Sequence, residues 1–149
     1  NIFTESPKTR SECMVPQSLN YEGGLRCIAK HGPSGVTLMT DAPKDNMGRG
    51  ESFSPSDLVA TALAACKLTT MAIFAERHGV KLDGSTAYAE KHMTTSGPRK
   101  IERIVVRIDF CAGIAADMRP KLENAALACP VAKSLSAELQ QQVTFHYPD

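Results

Sequence analysis

The sequence has no tryptophan and only 5% aromatic residues, so its core must close around alanine, methionine and the branched aliphatics. Neither sign of charge dominates. Lysine and arginine number 17 against 16 aspartates and glutamates; mixed along the chain, they leave no electrostatic footprint for nucleic acid or an anionic membrane surface. No glycine-rich phosphate loop occurs, which removes the motif support for nucleotide binding. There is no CxxC, no HExxH and no Cys/His grouping at the spacing of zinc sites, so a structural metal is not expected. The five cysteines, Cys13, Cys27, Cys66, Cys111 and Cys129, are odd in number and far apart, unlike the disulfide framework of a small secreted protein. No signal peptide or stop-transfer pattern is visible, and a start at Asn1 points to a trimmed N-terminus; a reducing cytoplasm is the expected compartment. Small molecules and protein partners remain.

What the chain does have is one long apolar stretch, SPSDLVATALAACKLTTMAIFAERH, residues 54–78. It reads as a helix. Ser54 suits an N-cap, Pro55 the first helical position, and Asp57 both a capping box and the positive end of the helix dipole. Gly79 is the stop signal. At 1.5 Å per residue such a helix is roughly 37 Å long, and between Leu58 and Ala75 its only charge is Lys67. A helix apolar nearly all round must be covered on most sides. A membrane span is the competing reading, but a mid-helix lysine costs about 2.5–3.5 kcal/mol on insertion scales, so burial by protein, including a partner subunit, is expected.

Around this helix the chain reads as one domain of residues 19–149 behind a polar, proline-bearing arm of residues 1–18. Strand-like runs at 19–30 and 35–40 flank the turn sequence HGPSG and predict a β-hairpin. Residues 41–53, rich in glycine and charge, form a loop into the helix, with a brief strand near Ser52. A strand is expected at 85–94, then the clearest one, KIERIVVRIDFCA. In it Ile104, Val106, Ile108 and Phe110 alternate with Arg103, Arg107 and Asp109, the period of two of a half-buried strand. A second helix at about 117–128 ends where Cys129 precedes Pro130, a short helix through Leu139 follows, and 142–147 forms a closing strand. The fold class is α+β, helices packed on a mainly antiparallel sheet.

By itself, Cys66 on a buried helix is more often a small core residue than a reactive one. Cys129 changes the odds. Followed by a helix-initial proline, it falls at an N-cap, where free N–H groups and the helix dipole favour thiolate. The pair SPSDLVATALAAC and CPVAKSL, together with GPSGVTLMTDAP ahead of the helix, resembles the OsmC/Ohr family of osmotically induced and organic-hydroperoxide-resistance proteins. The resemblance implies the OsmC-like fold, a long central helix and an intertwined homodimer. It implies that Cys66 is the peroxidatic and Cys129 the resolving cysteine of a cofactor-free peroxidase for organic hydroperoxides, reopened by a dithiol reductant.

The family also implies a glutamate two residues after the position of Ser54, paired with an arginine around the reactive sulfur; here that position is Ser56. Asp57 and Glu51 are the substitute carboxylates, and Arg26 and Arg49 the candidate arginines. Lys67, adjacent to Cys66, is not expected to share its face. The alternative reading is an OsmC-like small-molecule binder with a slow thiol. Cys13, Cys27 and Cys111 are expected to lack redox partners, and His31, His78, His92 and His146 to take no part in a Cys-His dyad.

Overall fold

A computed structural model describes residues 14–148. The expected arm and Cys13 therefore lie largely outside the described residues, and Gln17 and Ser18, assigned to that arm, open the first strand. By contacts the chain divides into two compact units, Asn1–Pro55 and Ser56–Asp149, and each is described by itself.

The first unit is a three-stranded antiparallel sheet of β1 (Gln17–Gly23), β2 (Arg26–His31) and β3 (Thr37–Asp41), in that spatial order. HGPSG joins β2 to β3 as expected, closed by His31 N–H to Val36 O and Gly35 N–H to His31 O, both 2.8 Å. The run at 19–30 is not one strand, however. Gly23, Gly24 and Leu25 take φ of 80°, 59° and 63°, a left-handed turn that two glycines tolerate at little cost and that folds β1 back on β2. Leu19, Tyr21, Ile28, Leu38 and Met39 on these strands stay exposed.

The loop after β3 contains one 3-10 turn, Lys44–Asn46, and no strand forms near Ser52. Its chain is tied down instead by single bonds, Asp41 N–H to Phe53 O at 3.0 Å and Ser52 Oγ to Met39 O at 2.7 Å. Gly48 is required by close approach: a Cβ there would lie 1.7 Å from the Ala42 carbonyl oxygen.

The second unit is built on α1 (Pro55–Arg77), whose first residue closes the first unit, with β4 (Thr86–Met93), β5 (Ile101–Asp109), α2 (Arg119–Leu127), α3 (Pro130–Ser134) and β6 (Gln140–His146). The helix stops where the sequence predicts. Gly79 takes φ 68°, its N–H reaches Glu76 O, and Val80 N–H reaches Ala75 O at 2.9 Å, the paired bonds of a Schellman motif.

Burial along α1 differs from the expectation of cover on most sides. Ala60, Leu63, Ala64, Lys67, Met71 and Ala75 are buried, a stripe at three- and four-residue spacing. Thr61, Ala62, Ala65, Thr69 and Ile73 are exposed. An apolar helix thus shows one chain only half of its surface.

β5 is the centre of the second sheet, antiparallel to β4 and parallel to β6. The parallel pairing follows from the long connection through α2 and α3, since a crossover of a dozen or more residues is what returns a strand in the same direction. Three of the four strand pairings are antiparallel, in keeping with the expected α+β class. Ile104, Val106 and Ile108 are fully buried and Phe110 nearly so, the face read from the alternation. They share one core with Leu63, Met71, Leu122, Ala126 and Cys129, each large aliphatic contributing about 1.5–3 kcal/mol by leaving water. α3 is shorter than expected, because Leu135 is already extended, at φ −81° and ψ 154°.

Candidate functional site

Within the second unit the turn between α2 and α3 carries Cys129 to the middle of α1. α2 ends with Ala128 N–H on Asn124 O at 3.1 Å and Cys129 N–H on Ala126 O at 3.4 Å. Pro130 then biases its predecessor away from the α region, and Cys129 is extended, at φ −65° and ψ 147°. Its carbonyl accepts from Lys133 N–H at 3.2 Å and starts α3. The side chain is fully buried in the core.

Cys66 is half-buried on α1, its sulfur 3.9 Å from Thr70 Oγ1 one turn on, and it lies near enough to Cys129 to act on the ionisation of that thiol. Both cysteines are free thiols. Two sulfurs about sixty positions apart in sequence are thus brought to one place.

The electrostatics of Cys129 run against its N-cap position. Burial pushes its pKa up, and the nearby Cys66 adds to that rise; the Ala132 amide and the charge of Lys67 pull the other way without overcoming it. The reason is geometric. α3 has five residues and closes no side-chain cap hydrogen bond, so its few free N–H groups do not offset the removal of the sulfur from water.

Lys67 corrects a second expectation. Adjacent positions point about 100° apart on a helix, yet the four-carbon stem carries Nζ back to the same site. Nζ donates to Ala126 O at 3.0 Å and lies 4.0 Å from Cys129 Sγ. Lys67 is 1% exposed and is the largest fully buried side chain. Burial pushes its pKa down, opposed by the charges of Cys129 and Cys66. The described partners of this nitrogen are the carbonyl and the two sulfurs, with no carboxylate among them. The sequence signal for it was its isolation as the one charge in the apolar run.

The other candidates fall into two groups. In the first unit Arg26 pairs with both Asp41, at 3.4 Å, and Glu51. Asp41 is buried and also accepts the Glu51 N–H at 3.0 Å; that amide first, then Arg26, holds its carboxyl below the usual range against the opposing effect of burial. Arg49 is exposed, and it is its backbone amide that acts on Asp41. Asp41, the buried centre of this cluster, was not foreseen.

In the second unit Asp57 pairs with Lys91 at 2.9 Å, and the same Nζ donates to Ser56 Oγ at 2.9 Å. Lys91, on β4, was not foreseen either; nothing in a strand lysine marks it as the partner of a helix N-terminus.

Of the remaining groups, Cys111 Sγ donates to Lys81 O at 3.6 Å. His78 sits on Phe74, and His92 pairs with Glu90 at 2.9 Å.

The chain was compared with known proteins. The family model described as OsmC-like protein matches residues 48–144. No curated protein matches. Among solved structures, a provisionally named osmotic stress induced and detoxification response protein from Psychrobacter arcticus is 39% identical, with 89% of this chain and 96% of that one covered and a TM-score of 0.84. An organic hydroperoxide resistance protein OsmC from Legionella pneumophila is 15% identical over 89% of this chain and 96% of that one, TM-score 0.71. The organic hydroperoxide resistance protein of Bacillus subtilis is 16% identical over 89% and 97%, TM-score 0.64. These last two share the fold.

Proposed function

This chain belongs to the OsmC-like protein family, and from that membership and its paired thiols we propose that it is a thiol-dependent peroxidase reducing organic hydroperoxides through Cys66 and Cys129. The observation that carries the reading is the proximity of a half-buried thiol on α1 to a buried thiol at the start of α3. In this reading the more accessible sulfur meets the peroxide and the buried one meets only its neighbour, a division of roles that their difference in burial supports.

The Cys66 thiolate attacks the outer peroxide oxygen, the O–O bond breaks, and the alkoxide takes a proton and leaves as the alcohol. Cys66 is then a sulfenic acid. Cys129 attacks that sulfur, the S–O bond breaks, the hydroxyl leaves as water, and a Cys66–Cys129 disulfide remains. An external dithiol reduces it and restores both thiols. Ala62 and Ala65, apolar and exposed on the helix beside Cys66, favour an alkyl or lipid hydroperoxide over hydrogen peroxide, in line with the names of the Legionella and Bacillus relatives. The working form is a cytoplasmic homodimer, for which the exposed face of Thr61, Ala62, Ala65, Thr69 and Ile73 supplies a helix surface that a second copy would cover.

The alternative, a small-molecule binder with little peroxidase activity, is favoured by one observation: the Cys129 thiol is pushed up rather than down. Single-turnover oxidation by cumene hydroperoxide separates the two. A peroxidase consumes one peroxide with rapid loss of two thiols, loses that fast phase in Cys66→Ser, and stops at a trappable sulfenic acid in Cys129→Ser. A wild type no faster than a free thiol in solution would refute the enzyme and leave the binder.

A further inference from the structure

A fully buried lysine with no carboxylate partner among the described residues needs a reason. Lys67 Nζ donates to the Ala126 carbonyl at 3.0 Å and to the sulfur of Cys129 at 4.0 Å, and the charge of Cys66 also acts on it. Two other residue types of similar reach show what is particular to lysine. Methionine has the same reach without the amine, and arginine holds a permanent charge. Lysine alone among the three can both accept and return a proton.

We propose that Lys67 is the acid-base residue of disulfide closure, taking the proton of Cys129 as its sulfur attacks Cys66 and returning it to the departing hydroxyl. The inference rests on the two-cysteine reading above and deepens it. In the reduced protein the pair is poised between amine with thiol and ammonium with thiolate, and the cost of burying charge favours the neutral pair. When Cys66 becomes a sulfenic acid, Cys129 attacks it, the S–H bond breaks and the proton passes to Nζ. The S–S bond forms, the S–O bond breaks, and the ammonium donates the proton to the leaving hydroxyl, which departs as water. Sulfur in Cys66 and Cys129 ends oxidised to the disulfide and Lys67 ends unchanged, so no further reactant is required.

The charges acting on Lys67 come from Cys129 and Cys66, on α3 and α1; α2 presents the neutral Ala126 carbonyl, and α3 also presents the Ala132 amide to Cys129. With the base already in place, closure in the wild type is expected to change little between about pH 6 and 8. Without it the rate should follow free thiolate and rise about tenfold per pH unit.

The test uses Lys67→Met and Lys67→Arg in the full chain. One equivalent of cumene hydroperoxide reports sulfenic acid formation and closure separately. An aromatic mixed disulfide formed on Cys66 with a nitrothiobenzoate reagent reports closure alone, as coloured thiolate released by Cys129. Expected in Lys67→Met are closure at least about tenfold slower in both arms, measured from the sulfenic acid or mixed disulfide onward, and the steep pH profile. Lys67→Arg is expected not to restore closure, because a guanidinium does not accept the proton.

Closure at the wild-type rate and pH profile in Lys67→Met would overturn the inference. Rescue by Lys67→Arg would also overturn it, by showing that charge alone suffices. A wild type inert to peroxide whose coloured release still depends on Lys67 would refute the peroxidase reading and keep the inference for disulfide closure.

Discussion

Replacing Lys67 by methionine should make the folded protein more stable, the opposite of the usual result for a fully buried side chain. Methionine nearly matches the stem in length and leaves no cavity. An amine held in an apolar core costs about 1–3 kcal/mol relative to an apolar group, and its one neutral hydrogen bond offsets about 1 kcal/mol of that. The Ala126 carbonyl is not orphaned by the change, since the N–H groups of Ala128 and Cys129 also reach it. For the neutral amine the net expectation is a gain of up to about 2 kcal/mol, or up to about 8 °C in Tm for a chain of this size, and more wherever the unfolded lysine is charged.

The pH dependence gives a sharper check. Lys67 is depressed from 10.5, so between its folded and unfolded values the unfolded chain binds more protons. Wild-type stability therefore rises with pH in that window, by up to about 1.4 kcal/mol per unit. Cys129, raised from 9.0, works the other way and withdraws stability once the unfolded thiol ionises above about pH 9. Urea denaturation at fixed protein concentration from pH 6 to 8.5 isolates the lysine. The advantage of Lys67→Met should be greatest at the acid end and shrink toward pH 8.5. A variant less stable than wild type by more than about 1 kcal/mol, or an advantage that grows toward pH 8.5, would refute the account of a desolvated amine.

Two further predictions concern the first unit. Gly48→Ala places a Cβ 1.7 Å from the Ala42 carbonyl oxygen and must break the bonds from Gly48 N–H to Pro43 O and Gly50 N–H to Ala42 O. A loss of about 1–3 kcal/mol, with faster proteolysis at 42–50, is expected; an unchanged urea midpoint and cleavage rate would contradict the packing. Asp41, held below its usual 3.8 by the Glu51 amide and by Arg26, stabilises the loop above about pH 4 and stops doing so as pH falls through its lowered folded value. Hydrogen exchange corrected for intrinsic rate should show the Glu51 amide losing protection there in wild type but keeping a pH-independent level in Asp41→Asn, and equal acid sensitivity in the two would sink the assignment.

The sequence by itself determined the elements whose signal is local. α1 was bounded to within a residue at each end because proline, aspartate and glycine act on their own turns. The buried face of β5 followed from strict alternation, which leaves each side chain one side of the sheet. The two cysteine motifs, at their separation, pointed to the family.

What only the tertiary structure decided were quantities summed over distant groups. The turn at Gly23 and Gly24 splits a run that local propensity alone would continue, and the parallel return of β6 depends on where α2 and α3 pack. The pKa of Cys129 was misjudged because an N-cap is a local feature, whereas the desolvation that overrides it comes from the core closing over the sulfur. Lys67 was set apart from Cys66 by helix periodicity, which places Cα atoms but not the end of a long flexible side chain. Its nitrogen meets Cys129 through a turn 62 positions further along the chain, and no spacing rule in sequence carries that contact, because the packing of α2 and α3 against α1 creates it.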